Sequence, residues 1–234
     1  MEECIAIIPA RGGSKRIPRK NIKLFCGKPI IAYSIEAAKS SCCFTETMVS
    51  TDDEEIASIA KTAGAHIPYL RSAKTADDFA SLEDVVYEAL EFYRKSGRTF
   101  DSFCCILATA PFINGKTIIN GYKTFFALKA NCVFSVVRYG YPIQRALRIK
   151  NDRIEMISPE YIDARSNDLE PTYHDAGQFY WMNVNAFLSE RQIISKNAAP
   201  YVLTESMVQD IDTEEDWKIA EAKFTLNKTL AENE

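Results

Sequence analysis

Hydrophobic and polar positions follow two rhythms over the first two-thirds of the chain. Short, almost wholly apolar runs at 5–9, 47–50, 103–108 and 132–137 read as strands buried on both faces. Between them apolar residues recur at three- and four-residue spacing over about 29–40, 53–63, 82–96 and 116–129, the pattern of amphipathic helices. Pro29 suits the first turn of the first helix, where a missing N–H leaves nothing unpaired. Strand–helix alternation with short connections predicts a doubly wound α/β fold: a mostly parallel nucleotide-binding sheet with helices on both faces. Such sheets bind ligands beyond the carboxyl ends of their strands.

Residues 139–177 break the rhythm. Prolines 142, 159 and 171 and many charges replace the alternation, and "LRIKNDRIEM" reads as a hairpin turning at Asn151-Asp152. This segment is expected to be an insertion, serving as a flap, a dimer arm or both, within a single domain spanning 1–234. A strand-like run at 178–184 and a helix starting near Thr213 close the chain.

Composition narrows the function without naming it. The 234 residues carry a net charge of −4, which argues against a general nucleic-acid binder. No apolar run approaches the ~20 residues that span a bilayer, so no membrane partner is expected. Seven cysteines without C-x-x-C spacing, several inside apolar runs, predict a reduced, cytoplasmic protein.

One stretch departs from the mild acidity. From Cys4 to Ile35 there is no Asp or Glu, while Arg11, Lys15, Arg16, Arg19, Lys20, Lys23 and Lys28 crowd the loop after the first strand and the residues leading to the first helix. A glycine-containing loop at a strand end is an anion site, with backbone amides reaching phosphate and Arg adding bidentate contacts. Neither G-x-G-x-x-G nor G-x-x-x-x-G-K-[ST] is present, which disfavours a nicotinamide-dependent oxidoreductase or a P-loop kinase.

Here the sequence resembles a known family. "IPARGGSKRIPRKNIK" followed by "GKPIIAYSIEAA" is similar to the amino-terminal signature of the CMP-sialic acid synthetase family of cytidylyltransferases, and later motifs follow in the family's order. The resemblance implies that this loop wraps the triphosphate of CTP, with Arg11, Ser14, Lys15 and Lys20 on the phosphates and Asn21 against cytosine.

The later motifs each carry a bland and a chemical reading. "STDDEEIA" (50–57) is an N-cap by Thr51 or Asp52 with acids in the first turn of a helix, or part of the nucleotide pocket's wall. "YLRSAKTADDFASLEDVV" (69–86) has Ser81 and Asp84 at capping-box spacing after an acidic pair; its likeness to the family implies that Arg71 and Ser81 face the nucleotide. "LATAPFIN" (107–114) is a strand-to-helix turn, and the family likeness puts Thr109 between nucleotide and sugar. "YHDAGQFYWMNVNAF" (173–187) resembles the branch of the family that activates pseudaminic acid. His174, Asp175 and Gln178 are its candidate sugar contacts, while alternate residues of 179–182 are core.

"VQDIDTEEDWKIAEAKF" (208–224) supplies carboxylates. In an extended strand Asp210 and Asp212 would share one face, and two hard oxygens suit Mg²⁺ completed by substrate phosphates. The alternative makes Asp212 or Thr213 a helix N-cap. The reaction implied by the resemblance is attack of a nine-carbon 2-keto sugar acid on the α-phosphorus of CTP. Arg11, Lys15 and Lys20 would offset the leaving pyrophosphate's charge, and Asp212, or a metal-bound water, is the base by elimination. Arg138, Arg145, Arg148 and Arg165 could hold the sugar carboxylate; Arg165 is preferred because its neighbourhood leads into 173–187. The family resemblance also implies a homodimer. Other readings are a sialic acid or other nonulosonic acid substrate, or a non-catalytic nucleotide-binding protein.

Overall fold

The computed structural model describes residues 2–77 and 79–232. β1 (Cys4–Pro9) runs into the basic loop, which ends in a 3₁₀ turn at Lys20–Ile22 and a small hairpin of β2 (Leu24–Phe25) and β3 (Lys28–Pro29). The alternating part comes next: α1 (Ile30–Ser41), β4 (Glu46–Ser50), α2 (Glu54–Thr62), the short α3 (Ala73–Ala76), α4 (Leu82–Lys95), β5 (Ser102–Ile106), α5 (Gly115–Ala127) and β6 (Cys132–Arg138). A second hairpin, β7 (Leu147–Lys150) and β8 (Arg153–Met156), precedes the long β9 (Tyr173–Asn183). Then come α6 (Val184–Glu190), β10 (Ala198–Leu203) and α7 (Glu214–Glu232).

The main sheet has six strands in the order β10-β6-β9-β5-β1-β4. Only β9 runs against its neighbours β5 and β6; the other pairings are parallel. The chain moves outward from β1 to β4, then returns past β1 to β5, which makes the sheet doubly wound. In β1 the period of two is visible: Cys4, Ala6 and Ile8 pack with α1, α2 and α5, while Ile5 and Ile7 pack with α4 and α6 on the opposite face. The buried cysteines fill both faces as small hydrophobes: Cys104 on one, Cys105 on the other. All seven cysteines are unpaired.

Several elements differ from the pattern the sequence predicts. β9 starts at Tyr173, so the insertion ends at 172 rather than 177, and the strand is longer than 178–184. Its pairing with β6 jumps from Tyr180 opposite Phe134 to Asp175 opposite Val136, and Ser135 Oγ accepts from the amides of Gln178 and Phe179 across the bulge. Gly177, at φ 60°, makes that bulge possible. β10 has no counterpart in the predicted elements, because Pro200 within "AAPYVL" argues against a strand; it is tolerated at the sheet's edge, where one side of the ladder has no partner to satisfy. α6, begun by Asn183 capping the amide of Ala186, stands where the apolar run reads as the tail of a strand. Pro29 stands one residue ahead of α1 rather than in its first turn.

Candidate nucleotide-binding site

The carboxyl ends of β1, β4 and β5 lie at one end of the sheet, and there the loops after β1 and β5, Arg71 and the start of α4 enclose a cleft of about 450 Å³. Arg11, Ser14, Lys15, Lys20, Asn21, Arg71, Ser81 and Thr109 all line it, and Arg16 joins them. The eight expected residues come from three separate stretches of chain, and the fold brings them to one place.

The basic loop is held by apolar and acidic groups together. Ile17, in its middle, is fully buried with Phe25, Ile30, Phe112, Ile211 and Trp217, so α7 and the β2–β3 hairpin clasp the loop from outside the sheet. Burying an isoleucine contributes about 2 kcal/mol, enough to offset part of the repulsion among the cations around it. Asn21, itself buried, donates from Nδ2 to the Arg11 carbonyl at 2.9 Å and fixes the loop's start.

The counter-charges come from elsewhere in the chain. Arg19, in the left-handed region at φ 56°, donates to Asp53 at 2.5 and 2.9 Å and to Glu55 at 2.5 Å. The Arg19 guanidinium holds the Asp53 carboxyl down at about 2. Asp53 is also the N-cap of α2, accepting from the Ile56 amide, so neither Thr51 nor Asp52 has the role expected of it. Asp52 instead accepts from the Gly12 amide at 2.9 Å. A Cβ on Gly12 would lie 2.8 Å from Asp53 Oδ2, so glycine is what allows this close approach.

Arg71 faces the cleft from the other wall. It is 8 % exposed and spends its donors on neutral acceptors: Ser50 Oγ at 3.1 Å, Ser50 O at 2.5 Å and Thr75 O at 3.2 Å. Burial lowers its pKa, yet an arginine keeps its charge. A buried guanidinium satisfied mainly by carbonyls is a strong attractor for an anion in the adjoining cleft. Ser81 completes the wall and forms the expected capping box, accepting from the Asp84 amide while Asp84 Oδ2 accepts from the Ser81 amide. Asp78, one of the acidic pair in this stretch, lies outside the described residues.

Asp212 joins the rim through Arg16 Nη2 at 2.7 Å and Lys20 Nζ at 3.5 Å. The 208–212 stretch is coil, not the extended strand expected, because its carbonyls bond side chains rather than a neighbouring strand. Thr213 takes the N-cap of α7 in a reciprocal pairing with Asp216, which leaves Asp212 out of capping. Asp210 is exposed. Among the described residues no three His, Cys, Asp or Glu side chains are grouped to hold a metal alone. Asp210 and Asp212 are the two aspartates of this stretch, and Asp212 already meets two of the cations that line the cleft.

Of the sugar candidates, Arg165, His174, Asp175 and Gln178 do not line this cleft, although the Gln178 carbonyl accepts from the amide of the cleft-lining Leu107 at 2.9 Å. Arg165 is exposed, ahead of a 3₁₀ turn in the insertion. His174 is exposed, its ring 4.7 Å from that of Tyr139. Asp175 accepts from the Gly177 amide at 2.8 Å and from the Tyr180 hydroxyl at 2.6 Å; burial, then this bond, raise the Tyr180 pKa and keep it a donor. Gln178 is buried and donates to the Met207 carbonyl at 2.6 Å. No helix among the described residues is long and apolar enough to cross a membrane.

Fold and cleft together define a doubly wound α/β protein with a cation-lined anion site at the topological edge where nucleotides bind. The cytidylyltransferase family profile matches residues 5–200, and the chain belongs to this family of nucleotidyltransferases. It is 41% identical over 228 residues to the pseudaminic acid cytidylyltransferase of Campylobacter jejuni, covering 97% of this chain and 98% of that one. It is 32% identical to the CMP-N,N'-diacetyllegionaminic acid synthase of Legionella pneumophila, over 96% and 97% of the two chains. Among solved structures, a CMP:2-keto-3-deoxy-manno-octonic acid synthetase complexed with CTP superposes with a TM-score of 0.71, covering 96% of this chain and 99% of that one. At 15% identity that likeness is one of fold.

Proposed function

We propose that this protein joins CTP to pseudaminic acid, giving the CMP-sugar and pyrophosphate. The observation that carries the chemistry is the single cleft lined by Arg11, Lys15, Arg16, Lys20 and Arg71, five cations around a volume that suits a nucleotide. The sugar assignment draws on the 41% identity to a pseudaminic acid enzyme along nearly the whole of both chains.

In this reading the anomeric hydroxyl of the sugar acid forms the new bond to the α-phosphorus. The bond from that phosphorus to the α,β-bridging oxygen breaks, and pyrophosphate leaves with its electron pair. Positioning and electrostatics supply most of the catalysis. Arg11, Lys15 and Lys20 neutralise charge growing on the departing phosphates, and Ser14 and Asn21 hold the loop and the base. Arg71 and Ser81 fix the nucleotide from the opposite wall, Thr109 lies towards the sugar, and Asp212 accepts the hydroxyl proton. Mg²⁺ held by Asp210 and Asp212 would supply charge neutralisation at the phosphates. Arg165, His174, Asp175 and Gln178 remain the proposed sugar side, with Asp175 and Gln178 acting through the bulge they hold.

We also propose a cytoplasmic homodimer joined through the inserted segment. In the β7–β8 hairpin Ile149 and Ile154 stand directly opposite each other and are 80% and 69% exposed. A two-stranded hairpin with a bare apolar face is marginal alone, and a second copy would cover it.

Pyrophosphate release tests the reaction. With pseudaminic acid and Mg²⁺, CTP should support turnover, while omitting either the metal or the sugar acid should abolish it. CTP hydrolysis without a sugar acid, or equal turnover with ATP, would refute the reading.

A further inference from the structure

The segment from Glu205 to Asp212 carries both proposed metal ligands, yet beyond a 3₁₀ turn at Glu205–Met207 it has no regular structure. Other elements hold its backbone by their side chains. Lys223 of α7 donates from Nζ to Val208 O at 2.9 Å and to Glu205 O at 3.3 Å. Asn227, one helical turn further, donates to Ser206 O at 2.8 Å. Gln178 of β9 reaches Met207 O at 2.6 Å, and Lys20 reaches Ile211 O at 2.6 Å. The carbonyls of 205, 206, 207 and 208 are therefore all held by side chains foreign to the segment, with Val208 and Ile211 buried beneath it.

Lys223 stands out in this set. Its ammonium meets two neutral carbonyls, and it forms no ion pair among the described residues. Neither Lys223 nor Asn227 lines the nucleotide cleft. Their fourfold spacing sets both on one face of α7, the face turned towards the carboxylate segment. Small divalent cations demand near-ideal octahedral geometry, so a segment without its own ladder needs such external bracing to present two carboxylates steadily.

We propose that Lys223, supported by Asn227, is a positioning residue that sets the divalent-cation affinity of Asp210 and Asp212 without taking part in nucleotide recognition. This rests on the metal reading above. Lys223 holds the carbonyls of Glu205 and Val208 rather than either carboxylate. Losing a direct outer partner of a ligand costs about tenfold or more, so Lys223→Met, one step further out, should lower divalent affinity by up to about tenfold.

The test titrates Mn²⁺ into the full-length protein with CTP present, following free Mn²⁺ by electron paramagnetic resonance, beside CTP affinity measured without any divalent ion. Lys223→Met should bind Mn²⁺ measurably more weakly, by up to about tenfold, at unchanged metal-free CTP affinity, and Lys223→Arg, which keeps a donor, should recover most of the loss. Asn227→Ala should shift Mn²⁺ binding the same way and serves if Lys223→Met does not fold. Unchanged Mn²⁺ binding in a folded Lys223→Met, or an equal fall in metal-free CTP affinity, would overturn the proposal. Asp212→Asn separates the two readings. If it binds Mn²⁺ like the wild type, the metal reading fails; if it alone loses Mn²⁺, only the bracing role of Lys223 fails.

Discussion

Asp53 does three things with one carboxylate: it caps α2, takes the Arg19 guanidinium and closes against Gly12. Its carboxyl is held at about 2, below its usual 3.8, chiefly by the Arg19 hydrogen bonds. A depressed carboxylate stabilises the fold above its unfolded value, and that stabilisation is lost as pH falls from 3.8 towards about 2. Asparagine keeps the cap and removes the charge. Thermal melts of Asp53→Asn should therefore lie below the wild type at neutral pH and converge with it in that acid window. A constant difference at every pH would mean that the substitution costs only hydrogen-bond geometry. The cations of the loop are legible in the sequence because they lie close together along it. Their partners are not: Arg16 and Asp212 are 196 positions apart, and the Asp52 bond to the Gly12 amide spans 40. Only folding of the sheet sets such pairs side by side.

At the scale of elements, the basic loop keeps its shape through Ile17 as much as through charge. Ile17→Ala should lower unfolding free energy by about 3 kcal/mol and raise the KM for CTP, since the cations on either side lose their anchor. Denaturant unfolding and CTP titration check both; a destabilised variant with unchanged CTP affinity would show that the anchor serves the fold alone. The alternating strands and helices are readable because strands buried on both faces are continuous apolar runs. β9 and β10 are harder for physical reasons. β9 carries polar residues where it crosses the bulge at Gly177, and β10 carries a proline that only an edge strand accepts. The capping box at Ser81 is legible because its signal is local, spanning three residues.

At the scale of the whole molecule, the inserted hairpin turns at Asn151-Asp152 as its sequence suggests, with φ of 49° and 57°. The hairpin's own residues do not specify what its apolar face meets. Replacing Ile149 and Ile154 together with aspartate should halve the mass seen by light scattering and leave metal-free CTP affinity intact, because neither residue lines the cleft. A wild type that scatters as a monomer would refute the dimer.

Which two molecules the cleft joins is tested most directly by competition between sugar acids. A cleft built to bond particular hydroxyls rejects an analogue lacking them by as much as ~10⁴. The decisive quantity is kcat/KM for pyrophosphate release from CTP and Mg²⁺, with pseudaminic acid and N-acetylneuraminic acid offered side by side. A strong preference for pseudaminic acid is expected. A preference for N-acetylneuraminic acid would contradict the sugar assignment, and release with neither, in a protein that binds CTP, would contradict the reaction on both of these acids.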